Sequence, residues 1–238
     1  APSGLASFKV EDMQAAVRVA IRDLRRQVGP DRPIYMVGYS NGAALAVDYT
    51  LSVVDGADLP RPAGLVLLSP AIGISRLAVV ARMRTGISSL PGFGRAAWQQ
   101  IVQEFDPYKY SSFSFNAAGQ TQRLTSGLSR RVARLARGKP IEGFPPVLAF
   151  QSTVDSTVRA EAVVDALLEH LAPGNHELVL FDVNRLAGAQ ALLVRDPGPL
   201  TARLLAMPAR TFALTVITNA TIETDRMKEL RAEPGSSR

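Results

Sequence analysis

Ser40 and Asp155 are the two residues whose settings suggest chemistry. Ser40 lies in Gly38-Tyr39-Ser40-Asn41-Gly42, directly after the apolar run Ile34-Tyr-Met-Val37 and before Ala43-Ala-Leu-Ala-Val47. An apolar run, an abrupt stop and a helical pattern read as strand, sharp turn and helix, with the serine on the turn. In so tight a turn the serine backbone is strained, and side chains two positions before and after would collide, which Gly38 and Gly42 avoid. A serine presented this way is a candidate nucleophile; the other reading is an ordinary helix-capping serine. Asp155 ends a second apolar run, Pro145-Pro-Val-Leu-Ala-Phe-Gln-Ser-Thr-Val-Asp155, which a helical pattern follows. It is a candidate orienting acid, or else the N-cap of that helix, a task Ser156 or Thr157 could also serve.

A serine needs an adjacent base, usually histidine, to become a nucleophile. Only His170 and His176 are present. Reactive groups of a parallel sheet gather at the carboxyl ends of its strands, where Ser40 and Asp155 both fall. His170 instead sits near the end of a helix returning to the opposite border. His176 precedes the strand Glu177 to Val183, which puts it on the order of 20 Å from the reactive border. Neither is expected to be the base.

These two motifs, in this order, resemble the α/β-hydrolase family, and the resemblance runs from about Val10 to about Val183. It implies a mostly parallel sheet flanked by helices, with Ser40 as nucleophile and Asp155 orienting a histidine. It also implies that the backbone N–H of Asn41 donates to the oxyanion, while a second oxyanion donor has no visible source. The activity implied is cleavage of carboxylic esters, lipid-like acyl esters such as lysophospholipids among them, with no cofactor and no metal. The family's histidine belongs in the loop after the strand Glu177 to Val183, yet Asn184-Arg-Leu-Ala-Gly188 holds no base. Strands expected before the elbow are missing as well. The expectation is therefore an incomplete chain, with the early strands before Ala1 and the histidine beyond Arg238. The alternative is a non-catalytic binding or interaction module that keeps the fold without the histidine.

The 238 residues, 47% of them hydrophobic, suit one α/β domain with a substantial core. Val10, Met13, Val17, Ile21, Leu24 and Val28 fall at helical steps, and Gly29-Pro30 closes that helix. Further helices are expected from Gly42 to about Val54, over Trp98 to Phe105, over Leu124 to Arg137 and over Val158 to Leu171, with partly helical character across Leu192 to Ala206. Strands are expected at Ala63 to Ser69, Val147 to Gln151, Glu177 to Val183 and Phe212 to Asn219. The stretch of about 74–138 reads as a cap inserted over the site, or as helices packed on the sheet. The tail from Glu233 to Arg238 has a linker's composition.

Arginine supplies most of the formal net charge of +6; nine Arg and two Lys between Gly73 and Pro140 face only Glu104 and Asp106. A solvated basic face is the simplest reading, and attraction to an anionic lipid surface or acidic substrate is the next. Nucleic acid is not expected, because no binding motif accompanies the charge. The absence of cysteine excludes disulfides, thiolate metal sites and a cysteine nucleophile. No apolar run reaches 18 residues and no signal-peptide pattern opens the chain, so the default compartment is the cytoplasm. Asn219-Ala-Thr221 matches a glycosylation acceptor but is not expected to be one. Oligomeric state is not legible.

Overall fold

The computed structural model describes residues 2–72, 98–100, 113–155, 158–182, 198–221 and 223–236. Helix α1 (Val10–Val28) leads into strand β1 (Tyr35–Tyr39), which passes through one residue into α2 (Asn41–Val54). Strand β2 (Gly64–Leu68) follows, then the short strands β3 (Trp98–Gln100) and β4 (Phe113–Ser114), and helix α3 (Phe115–Ala136). The remainder alternates: β5 (Val147–Ser152), α4 (Ala160–Ala166), β6 (Glu177–Phe181), α5 (Gly198–Leu205), β7 (Ala213–Asn219) and β8 (Met227–Ala232).

Six strands form one sheet in the order β1-β2-β5-β6-β7-β8; β3 and β4 pair separately. Every pairing from β1 to β7 is parallel, and β8 closes the far side antiparallel to β7. Parallel neighbours point their carboxyl ends the same way, so Ser40, Ser69, Asp155, Asp182 and the end of β7 lie along one border.

Alternation along the strands sends one set of side chains into the core. Met36, Leu65, Leu67, Val147, Ala149, Leu178, Leu180, Leu214 and Val216 share a buried cluster with Ala43 and Val47 of α2, Leu124 and Leu128 of α3, and Leu204 of α5. Between α1, α2 and α3, the buried Asp48 carboxylate accepts from Gln14 Nε2 at 2.8 Å and Arg131 Nη1 at 3.1 Å, and Arg131 also reaches Ser52 Oγ at 2.8 Å. The other side of β1 is bare: Tyr35, Val37 and Tyr39 are 64%, 69% and 71% exposed.

Most expected elements are present, and the departures have physical causes. Trp98 to Gln100 forms a strand paired with Phe113–Ser114 instead of opening a helix, since a partner strand outweighs weak helical spacing. Residues 101–105 of that expectation lie outside the described residues. Helix α3 begins nine residues before Leu124 because Ser114 Oγ accepts from Ala117 N–H at 3.0 Å and caps it. Though α3 falls inside the stretch of about 74–138 read as a cap, it packs on α1 and α2. The rest of that stretch is largely outside the described residues. Strand β8, Met-Lys-Glu-Leu-Arg-Ala, was not expected at all, because a border strand protected by charges lacks an apolar alternation.

Candidate active site

Ser40 adopts φ 51° and ψ −114°, a conformation costly for any residue with a Cβ. Three backbone hydrogen bonds hold it there. Its N–H donates to Leu68 O at 2.9 Å, and its own carbonyl accepts from Ala44 N–H at 3.3 Å and Ala71 N–H at 3.0 Å. The turn is thus fastened both to its own helix and to the chain leaving β2. The Ser40 side chain makes no capping hydrogen bond to α2, so the capping role is not filled.

Gly38 explains how strand and helix come so close. A Cβ there would lie 2.5 Å from Ala43 Cα, 2.6 Å from Ala43 N and 2.7 Å from Gly42 O, all backbone atoms that cannot yield. At Gly42 the expected collision is absent: a Cβ would meet nothing within 4 Å, since that position points away from the strand.

Asn41 is the first residue of α2, where helical N–H groups have no intrahelical acceptor. No hydrogen bond from the Asn41 N–H occurs among the described residues. Its side chain turns toward α1, with Nδ2 3.4 Å from Met13 Sδ. A 14-residue helix starting at the serine adds the positive end of its dipole to the same place.

Asp155 follows β5 on the same border, two strands from Ser40, so about 10 Å separates the strand axes. Its Oδ1 accepts from Val158 N–H at 2.9 Å and its Oδ2 from Gln151 Nε2 at 3.3 Å. The first contact is a bond within the loop and not a helix cap, since α4 begins at Ala160 with Arg159 at its N-cap and no side-chain cap; the second comes from the interior of the sheet. Ser156 and Thr157 lie outside the described residues.

Both histidines lie away from this border. His176 precedes β6, and its carbonyl accepts from Ala213 N–H at 2.9 Å at the start of β7. It is buried, its Nδ1 has no partner, and burial pulls its pKa below the ordinary histidine value, an effect partly offset by a hydrogen bond with the Ala172 backbone. His170 closes a short 3-10 turn, with Nε2 3.1 Å from Asp165 O. The loop Asn184 to Gly188 is outside the described residues.

Two polar residues were missed by the sequence reading. Asp182, at the end of β6, accepts from Thr153 Oγ1 at 3.5 Å and Thr218 Oγ1 at 3.2 Å, adding a second carboxylate to the border. Gln151 occupies an inward strand position, and a polar residue in the alternation Val147, Ala149, Gln151 was the signal available for it.

Among solved structures, a soluble variant of monoglyceride lipase from Saccharomyces cerevisiae in complex with a substrate analog matches with a TM-score of 0.52 at 12% identity, over 74% of this chain and 62% of that one. The fold is that of the α/β hydrolases. A Paleococcus ferrophilus monoacylglycerol lipase matches at 17% identity and a TM-score of 0.49, over 74% of this chain and 66% of that one. MGS-M2, an α/β hydrolase from a Medee basin deep-sea metagenome library, matches at 16% identity and 0.38, over 71% and 63%. The chain therefore spans less than two thirds of the length of each of these α/β hydrolases. No family model matches the sequence, and no curated protein does. No cluster of metal-ligating side chains occurs among the described residues, and no described helix is long and apolar enough to cross a membrane.

Proposed function

We propose that this chain is the nucleophile-bearing part of a serine hydrolase that cleaves carboxylic esters of the acylglycerol or lysophospholipid kind. Ser40 Oγ attacks the ester carbonyl carbon, its proton passes to a histidine, and the carbonyl electron pair moves onto oxygen. The Asn41 N–H donates to that oxyanion. The pair then returns, the bond to the alcohol breaks, and the alcohol leaves with the proton. Water repeats the sequence on the acyl-enzyme and releases the acid. Asp155 orients the histidine, which comes from outside these 238 residues, since His170 and His176 both lie at the other end of the strands.

One observation carries the reading: a strained serine at a strand-to-helix turn, closed by the Gly38 approach, on the same sheet border as Asp155. The ester class follows the name of the monoglyceride lipase of similar fold. The position of both histidines favours a second reading, an acyl-binding module without turnover. Treatment of the full-length protein with a fluorophosphonate decides between the two. Ser40 is expected to be labelled, and Ser40→Ala to abolish the label. Equal labelling of both proteins, or of neither, leaves the binding module.

A further inference from the structure

Gln151 is 1% exposed and stands on the core face of β5, in register with Leu180. Its neighbours on that strand face, Val147 and Ala149, are apolar and buried. An aliphatic side chain would satisfy such a place better, because Gln151 Oε1 is buried with no hydrogen-bond partner. The amide nitrogen is fully engaged, with the end of β5 and with the loop that carries Asp155. Nε2 lies 3.3 Å from Asp155 Oδ2, 3.3 Å from Val158 O and 3.4 Å from Ser152 O.

With the Val158 N–H donating to Asp155 Oδ1 at 2.9 Å, the contacts close a ring: Gln151 to Asp155, Asp155 to Val158, Val158 back to Gln151. One carboxylate oxygen is fixed by the loop itself and the other by a side chain rooted in the sheet. Rotation of the carboxylate about its χ2 breaks one contact or the other. The orphaned oxygen and the threefold use of the nitrogen make sense together if the position serves the loop at the expense of the core.

We infer that Gln151 is a positioning residue, which holds the Asp155 carboxylate in the orientation its partner base requires and acts on Ser40 only through Asp155. This inference rests on the reading of Ser40 and Asp155 as nucleophile and orienting acid. A double-mutant cycle on the fluorophosphonate labelling rate of the full-length protein tests it, using Gln151→Met, Asp155→Asn and both together. Gln151→Met is expected to slow labelling of Ser40 roughly tenfold, as small misplacements of catalytic groups do. In the Asp155→Asn background the same change is expected to alter the rate less than twofold, with a thermal midpoint no lower than that of the parent. Equal slowing in both backgrounds overturns the inference, because a residue that merely supports the fold acts regardless of Asp155. So does an unchanged rate in the single variant. If Gln151→Met unfolds, Gln151→Glu replaces it in the same cycle: it keeps the shape while setting a like charge against Asp155, and the slowing must again vanish with Asp155→Asn. Absence of labelling in the parent itself removes the Ser40 reading and this inference with it, a result distinct from labelling that ignores Gln151.

Discussion

Gly38 and Ala43 approach so closely that the chain has no room for a single added carbon between them. The contact is between backbones, so neither a rotamer change nor a smaller neighbour can relieve it. Gly38→Ala is expected to lower stability by about 3 kcal/mol or more, the high end of overpacking. Gly42→Ala, four residues on and opening into free space in the first turn of α2, is expected to raise it by about 0.5 kcal/mol through helix propensity. Urea unfolding of the two variants separates them, and similar effects would contradict the geometry.

Strain at Ser40 is measurable in its own right. Relief of a positive-φ conformation is worth roughly 1–3 kcal/mol, against about 0.5–1 kcal/mol of added chain entropy in glycine. Ser40→Gly is therefore expected to be about 1 kcal/mol more stable than Ser40→Ala, by thermal or chemical unfolding. A Ser40→Gly variant less stable than Ser40→Ala, by the roughly 0.5–1 kcal/mol of glycine's entropy, would mean that the turn stores no strain.

His176 makes stability depend on pH. Burial holds its folded pKa below the ordinary value of 6.5, so the unfolded chain binds a proton that the folded chain refuses. The sign follows: the contribution is complete above about pH 6.5 and is lost as the pH falls toward the depressed folded value, at up to about 1.4 kcal/mol per pH unit. Unfolding free energies at pH 7.5 and 5.5 are expected to differ by more in the parent than in His176→Gln. A parallel pH response of the two would exclude the histidine as its source.

Arg210 ties the end of the chain to the sheet. Its buried guanidinium donates to the carbonyls of Phe212 at 3.1 Å, Leu204 at 2.8 Å, Glu233 at 3.0 Å and Ser236 at 3.1 Å. Arg210→Met takes one donor from each of those oxygens, although Glu233 O keeps the Ser236 N–H at 3.1 Å and Leu204 O the Met207 N–H at 3.5 Å, and a loss of roughly 3 kcal/mol is expected. Arg210→Lys is expected to recover less than half, since an ammonium cannot reach four carbonyls from one fork. Full recovery by lysine would show that charge alone matters there.

Parallel strands of the sheet were legible because a strand buried on the core side reads as a short apolar run, and Ile34–Val37, Val147–Phe150 and Leu178–Leu180 are such runs. Ser40 was legible because the turn that strains it demands Gly38 nearby in sequence. Asp155 could be placed on the border but not given its bonds, since Gln151 reaches it from the core across a loop whose path no local pattern encodes. Gln151 itself was visible as a polar interruption in an apolar alternation. Strand β8 escaped notice for the opposite reason: Lys228, Glu229 and Arg231 shield a border from pairing, and they mask the strand as loop.

Nothing pairs with the outer side of β1 among the described residues, and Tyr35, Val37 and Tyr39 stand uncovered beside it. Such an arrangement is adhesive: open amides and carbonyls offer a ladder to any extended peptide, and three greasy side chains reward its arrival. Produced as these 238 residues, the polypeptide is expected to light up anilinonaphthalene sulfonate and to sediment as multimers, and Val37→Lys is expected to suppress both.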